Sequence, residues 1–214
     1  MKKYKYLLLD WDGCCAMTLD LWLAEYVDVL KNHYKLNLTE NWIVEKLFGG
    51  HHEPLKEIYN IDIVDFYAKL KSSILPKIPK TKLYPEVKNT IKMLHQNNIK
   101  IVIISSQWKS SLEESIQYNN LDSLIFDFIG REDTKEHKPK PAPLNLAINK
   151  LKVGKENCIM VGDSDNDILA AKSANVTSAL FYPKHNEKFY KPEYQKSLNA
   201  DYVIKNFESA LELF

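Results

Sequence analysis

"KYLLLDWDGCCAMTLDLW", Lys5 to Trp22, is the stretch on which the reading of the whole chain turns. Tyr6 to Leu9 form an apolar run of strand length, too short for a helix. The run exits into two carboxylates, Asp10 and Asp12, followed at once by Gly13. A carboxylate at the end of a buried strand is costly unless a metal, a cation or a cluster of donors compensates it. One reading is a turn or helix cap, since D-G pairs commonly mark turns. The other is a catalytic site at the carboxyl end of a parallel sheet, where open α/β folds hold their ligands. The stretch by itself fits both.

Further along, apolar runs of strand length alternate with amphipathic stretches. "KIVII" (Lys100 to Ile104), "LIFDFI" (Leu124 to Ile129), "NCIMVGD" (Asn157 to Asp163) and "SALFY" (Ser178 to Tyr182) read as buried strands. Between them Val87, Ile91 and Leu94 mark one helix face, and Leu144, Ala147, Ile148 and Leu151 another. Gly154 stands where the second helix would end. Such alternation predicts a doubly wound, mainly parallel α/β sheet.

Residues 19–75 follow a different pattern. Leu19, Trp22, Leu23, Tyr26, Val27 and Leu30 form a helical stripe, and Ile63, Phe66, Tyr67, Leu70 and Ile74 form another behind a cap at Asp62. "LPKIPK" (Leu75 to Lys80) reads as a linker back to the α/β part. The organisation predicted is an α/β core of residues 1–16 and 82–214, with an all-α insert of residues 17–81.

Composition sets limits on partners. Of 214 residues, 29 are basic and 28 acidic, a formal charge of +1, so no net field recruits nucleic acid or an anionic membrane. Arg131 is the sole arginine, which leaves anion recognition mainly to lysines, hydroxyls and backbone amides. Cys14, Cys15 and Cys158 show neither a disulfide framework nor metal spacing, which suits a reducing cytoplasm. The apolar run near Met1 is too short for a signal peptide, and no segment is long enough to span a bilayer. A soluble, cytoplasmic protein is expected. The segment "YPKHNEKFYKPEYQKS" (Tyr182 to Ser197) mixes lysines with aromatics, but its acids and prolines fit a solvated excursion better than a nucleic-acid patch.

Four stretches fall on one rim of the predicted sheet: "DWDG" (Asp10 to Gly13), "SSQ" (Ser105 to Gln107), "HKPKP" (His137 to Pro141) and "GDSDND" (Gly162 to Asp167). Singly, each has a plain structural explanation as a cap, a turn or a surface lysine. Together and in this order they resemble the haloacid dehalogenase superfamily, specifically its phosphoglycolate phosphatase-like members with a helical cap inserted after the first motif. "DWDG", "IVIISS", "KPKPAP" and "GDSDND" match its four motifs, and the likeness extends to the closing "ADYVIKNFESALEL". Where such phosphatases often read D-x-D-G-T-L, this chain has Cys14 and Cys15, and Met17 replaces a common acidic residue.

The resemblance implies roles. Asp10 would be the nucleophile that forms an aspartyl-phosphate, and Asp12 the general acid and then base. Ser105 and Lys138 would contact the phosphoryl oxygens, aided by backbone amides around Asp12, Gly13 and Ser106. Mg²⁺ would be held by Asp10, the main-chain carbonyl of Asp12 and Asp163, with Asp167 in support. The chemistry asks for the same residue types, since a carboxylate attacking a phosphate needs its negative charge offset. A small phosphorylated metabolite is the expected substrate; oligomeric state is not legible. In the insert, "FGGHHEP" (Phe48 to Pro54) offers His51, His52 and Glu53 as groups that would meet the leaving group, or else forms an ordinary exposed connector. A Mg²⁺-dependent phosphatase is the leading expectation, with a phosphomutase of the same superfamily and a non-catalytic phospho-ligand-binding or regulatory module as alternatives.

Overall fold

β1 (Tyr6–Leu9) forms from the uninterrupted apolar run and lies inside a six-stranded sheet. The computed structural model describes residues 4–48 and 52–214. The other strands are β2 (Lys100–Ile104), β3 (Asp127–Ile129), β4 (Cys158–Gly162), β5 (Thr177–Phe181) and β6 (Tyr202–Ile204). Every neighbouring pair is parallel, in the order β3-β2-β1-β4-β5-β6. The predicted doubly wound sheet is therefore the one observed, with its winding reversed between β1 and β4. At such a reversal the crevice at the strand ends is open to ligands.

The helices are α1 (Thr18–Tyr34), α2 (Glu40–Leu47), α3 (Glu53–Tyr59), α4 (Ile63–Ile74), α5 (Val87–Gln96), α6 (Lys109–Tyr118), α7 (Ala142–Leu151), α8 (Asp165–Ala174) and α9 (Pro192–Ser197). Side chains alternate across a strand. Leu7, Leu9, Ile101, Ile103 and Val161 thus join one buried cluster with α5 and α6, while Leu8, Val102, Ile104 and Met160 join another with α7 and α8. Burial on both faces explains why these strands read as continuous apolar runs. Among the described residues, no helix is long and apolar enough to cross a membrane.

α1 to α4 build a core of their own from Leu23, Tyr26, Leu30, Ile43, Leu55, Phe66 and Leu70. α4 begins where expected, with Asp62 Oδ1 accepting from the amides of Val64 at 2.7 Å and Asp65 at 3.1 Å. The chain leaves and re-enters the sheet side by side: Met17 N donates to Lys82 O and Tyr84 N to Cys15 O, each at 2.9 Å.

Some elements differ from expectation. The run at Leu124 yields a strand only from Asp127, because the amides of Leu124 and Ile125 turn back to Leu121 O. The left-handed residue ending α7 is Lys152, not Gly154. Leu75 to Lys80 is no open linker; Ile78 and Pro79 are buried in a 3₁₀ turn against α6. β6 is an addition, three residues long with Val203 largely exposed, too short for periodicity to reveal.

The largest correction concerns Tyr182 to Ser197. It is not a solvated excursion, since Tyr182, Asn186 and Phe189 are buried. Phe189 enters the helical cluster, with its ring stacked 5.2 Å from that of Phe48. Its lysines serve acids of this same chain: Lys188 lies 3.2 Å from Glu40 and Lys191 2.7 Å from Glu45. The apolar partner on the insert, invisible to a local reading, is what folds the segment into a strap.

Candidate active site

Leu9 is in register with Ile103 on one side and Val161 on the other, so the residues that follow these three strands emerge together. Asp10 N donates to Val161 O at 2.9 Å, which fixes its backbone as the chain leaves the sheet. Asp10, Asp163 and Asp167 are all buried, with one carboxylate oxygen of each within 4.8 Å of the others. Lys138, from the loop before α7, places Nζ 2.5 Å from Asp10 Oδ1, 2.6 Å from Asp167 Oδ1 and 3.0 Å from Ile104 O. All three of its donors are thereby used.

Asp167 is held from its other side, where Oδ2 accepts from Ser164 N at 3.1 Å and Ser164 Oγ at 2.7 Å. This capping box starts α8 and aims the carboxylate back over the sheet. The close approach depends on Gly162, where a Cβ would stand 2.3 Å from Asp167 Cγ. Gly13, at φ +75°, makes a similar allowance, since a Cβ there would lie 2.2 Å from Asp163 Oδ2.

Burial dominates the electrostatics. It pushes Asp10 up to about 8, with Asp167 adding to the rise and Lys138 opposing it. Asp163 is also raised, by burial and then by Asp10 and Asp167. Burial works against the charge of Lys138, but Asp10 and Asp167 outweigh it and hold the ammonium protonated. One ammonium thus faces three carboxylates, and the Oδ2 atom of Asp163 is buried with no hydrogen-bond partner among the described residues. Clustered oxygen donors with surplus negative charge fit a hard divalent cation.

Asp12 points to a different set of groups. Gln107 Nε2 donates to its Oδ1 at 2.7 Å and Ser105 Oγ to its Oδ2 at 3.1 Å, and the Thr18 hydroxyl bonds it as well. Burial raises its pKa, and these donors partly offset the rise. Ser106 is exposed beside them. The amide of Gly13 was expected to face a phosphoryl group, but it donates within its own loop, to Ala16 O at 2.9 Å and Thr18 Oγ1 at 3.1 Å. What Gly13 supplies is curvature and room. Cys14 and Cys15 are buried, and burial pushes both thiols up, away from the reactive thiolate.

Residue-by-residue reading missed several groups. Gln107 sits in the quoted "SSQ", yet only the fold shows its amide on Asp12. Asn186, in the strap, donates through Nδ2 to Gly13 O at 3.0 Å and accepts at Oδ1 from Tyr84 OH at 2.5 Å. Tyr190, four residues on, bonds Asp163.

His51 lies outside the described residues. His52 is not an exposed loop group; it is 4% exposed, its ring between Tyr26 OH at 2.6 Å and Tyr67 OH at 2.7 Å. α1 and α4 close over it, which makes it part of the helical core. Glu53 is exposed and, with His52 and Tyr67, lines a cavity of about 640 Å³. Where the insert faces the sheet, Lys71 Nζ sits 4.4 Å above the Trp108 ring, and Arg131 is near enough to Tyr67 to pull its pKa downward against the rise that burial gives it.

The chain matches the family described as haloacid dehalogenase-like hydrolase over residues 7–181. It is 25% identical to the pyrophosphatase PpaX of Halalkalibacterium halodurans, over 97% of this chain and 95% of that one. It is 31% identical to the phosphoglycolate phosphatase of Vibrio parahaemolyticus, over 70% of this chain and 61% of that one. Among solved structures, a HAD family hydrolase from Deinococcus radiodurans with bound phosphate and sodium is similar at a TM-score of 0.82 and 18% identity, covering 100% of this chain and 97% of that one.

Proposed function

Because the chain belongs to the haloacid dehalogenase-like hydrolase family, we propose that it is a phosphatase acting on a small phosphorylated metabolite through an aspartyl-phosphate on Asp10. The core would comprise residues 1–16 and 82–214 and the cap residues 17–81. One observation carries the reading: Lys138 bridges Asp10 and Asp167 at the sheet's reversal point, while Asp12, two residues on, is held apart by Ser105 and Gln107. One carboxylate is thus placed among charges suited to attack, and the other among hydrogen-bond donors suited to proton transfer.

Asp10, Asp163 and the main-chain carbonyl of Asp12 would hold Mg²⁺, with Asp167 in support. The ion supplies positive charge that offsets repulsion between the carboxylate and the phosphate. In the first step Asp10 forms a bond to phosphorus as the bond to the leaving oxygen breaks, and Asp12 gives that oxygen a proton. In the second, Asp12 takes a proton from water, which attacks phosphorus and releases Asp10. Lys138 and Ser105 offset charge on the transferring oxygens, the main need of a loose phosphoryl transition state. The relatives' names, a pyrophosphatase and a phosphoglycolate phosphatase, both imply an anionic leaving group. Lys71 and Arg131, near Trp108 and Tyr67, offer charge to receive one.

The test is release of free phosphate from a panel that includes phosphoglycolate, pyrophosphate, sugar phosphates and a nitroaryl phosphate, with and without Mg²⁺. Asp10→Asn is expected to abolish turnover in a protein that melts no earlier than wild type. Wild-type rates from a folded Asp10→Asn variant would overturn the mechanism. Transfer of phosphate between sugar positions without net release would make the chain a mutase instead.

A further inference from the structure

A carboxyl group just past the end of a strand has freedom about two side-chain torsions, yet proton transfer needs one oxygen held toward the leaving group. Gln107 Nε2 meets Asp12 Oδ1 at 2.7 Å, closer than Ser105 Oγ on Oδ2 at 3.1 Å, and the Thr18 hydroxyl bonds the same carboxyl group. Gln107 is itself fixed from several sides. It is 4% exposed, its amide N donates to Ser105 Oγ at 3.0 Å, and its carbonyl accepts from Arg131 N at 2.7 Å. Little freedom remains except in the side-chain amide, and that is committed to Asp12.

The second arm of the same amide sharpens the point. Gln107 Oε1 is buried and has no hydrogen-bond partner among the described residues. A buried acceptor left in that state costs stability, so packing alone would favour an apolar side chain of this length. The donor on the other arm is what the amide provides. Ser105 Oγ, moreover, is expected to turn toward the phosphoryl oxygens when substrate binds. Gln107 then remains as the donor from this loop on Asp12.

We propose that Gln107 is a positioning residue for Asp12, holding its carboxyl group toward the leaving oxygen; this rests on the phosphatase reading above. A good leaving group departs without a proton, whereas a poor one needs the acid, so the two report separately on Asp12. Rates are compared for Gln107→Met, which keeps length and packing but donates nothing, using a nitroaryl phosphate and a simple alkyl phosphate. We expect kcat/KM, which reports formation of the aspartyl-phosphate and not its hydrolysis, to fall about 10- to 100-fold for the alkyl phosphate, the effect of losing a hydrogen bond to a charged group, and to stay within about threefold for the aryl phosphate. Gln107→Lys keeps a donor of similar reach and is expected to restore most of the alkyl rate. Melting curves verify folding, and Gln107→Ser supplies the same ratio if the Met variant does not fold. Equal losses on both substrates, no loss on either, or a Lys variant no better than Met would overturn the assignment. If wild type hydrolyses neither substrate nor any member of the panel, the phosphatase reading itself falls; if it hydrolyses both and the variants lose them equally, only the role of Gln107 does.

Discussion

On the proposed mechanism Asp10 would have to be a nucleophile in a place that discourages its charge. Burial and Asp167 push it up to about 8, whereas a carboxylate in an unfolded chain ionises near ~4. Between those values the folded protein keeps a proton that the unfolded chain has released. The stability linked to that proton is complete below about 4 and is lost as pH rises through about 8. Asp163 is shifted the same way. A divalent cation removes the need for those protons and gains as they leave. Metal-free protein is therefore expected to melt progressively earlier from about pH 5 to about pH 8.5, and the rise in Tm on adding Mg²⁺ should grow over the same interval. A Mg²⁺ increment independent of pH, read by scanning calorimetry, would count against Asp10 and Asp163 as its ligands. Asp10, Asp12, Lys138 and Asp163 were legible in the sequence because each follows an apolar run or stands in a motif whose order is itself informative. Gln107 and Asn186 were not, because their bonds to Asp12 and Gly13 cross 95 and 173 residues of chain.

Among elements, legibility follows burial. β1 and β2 appear at the expected residues since both lie inside the sheet with two covered faces, which leaves only Lys100, at the exposed start of β2, as a charged side chain in either run. β3 and β6 stand at the sheet's edges, where short pairing and half-exposed residues weaken the pattern. In the cap, α4 depends on its first turn, and Asp62→Ala is expected to lower unfolding stability by about 1 kcal/mol in a urea titration. His52 is a larger matter. Its removal leaves two tyrosine hydroxyls short of a partner and a void against Phe66, so His52→Ala should cost about 2–4 kcal/mol. The rate on a nitroaryl phosphate should change little once the variant is folded. A large, selective loss of rate on that substrate with unchanged stability would instead make His52 a substrate contact. Sequence reading offered this histidine as a leaving-group contact or else as part of an exposed connector, because the glycines before it suggest a loop, while the tyrosines that enclose it lie on α1 and α4.

At the scale of the molecule, the strap binds the helical insert to the sheet by two unlike means. Phe189 is buried in the cap's cluster, while the Lys188 and Lys191 pairs are exposed and open to screening by salt. Phe189→Ala is expected to quicken amide exchange in α1 and α2 by more than tenfold, a shift of about 1.4 kcal/mol or more in local opening, whereas Lys188→Ala with Lys191→Ala should leave it nearly unchanged at physiological salt. Exchange mass spectrometry decides, and the reverse order would show that charge, not the ring, anchors the strap. The two chain crossings between sheet and insert run beside one another, Ala16 bridged to Leu83, in the arrangement of a door hinge. The strap pins the door at a third point on α2. If the insert opens as a cap about those crossings, a door pinned in that way does not swing until the pin is drawn, and the dwell time of its closed state would be set by how fast one phenylalanine leaves its stack.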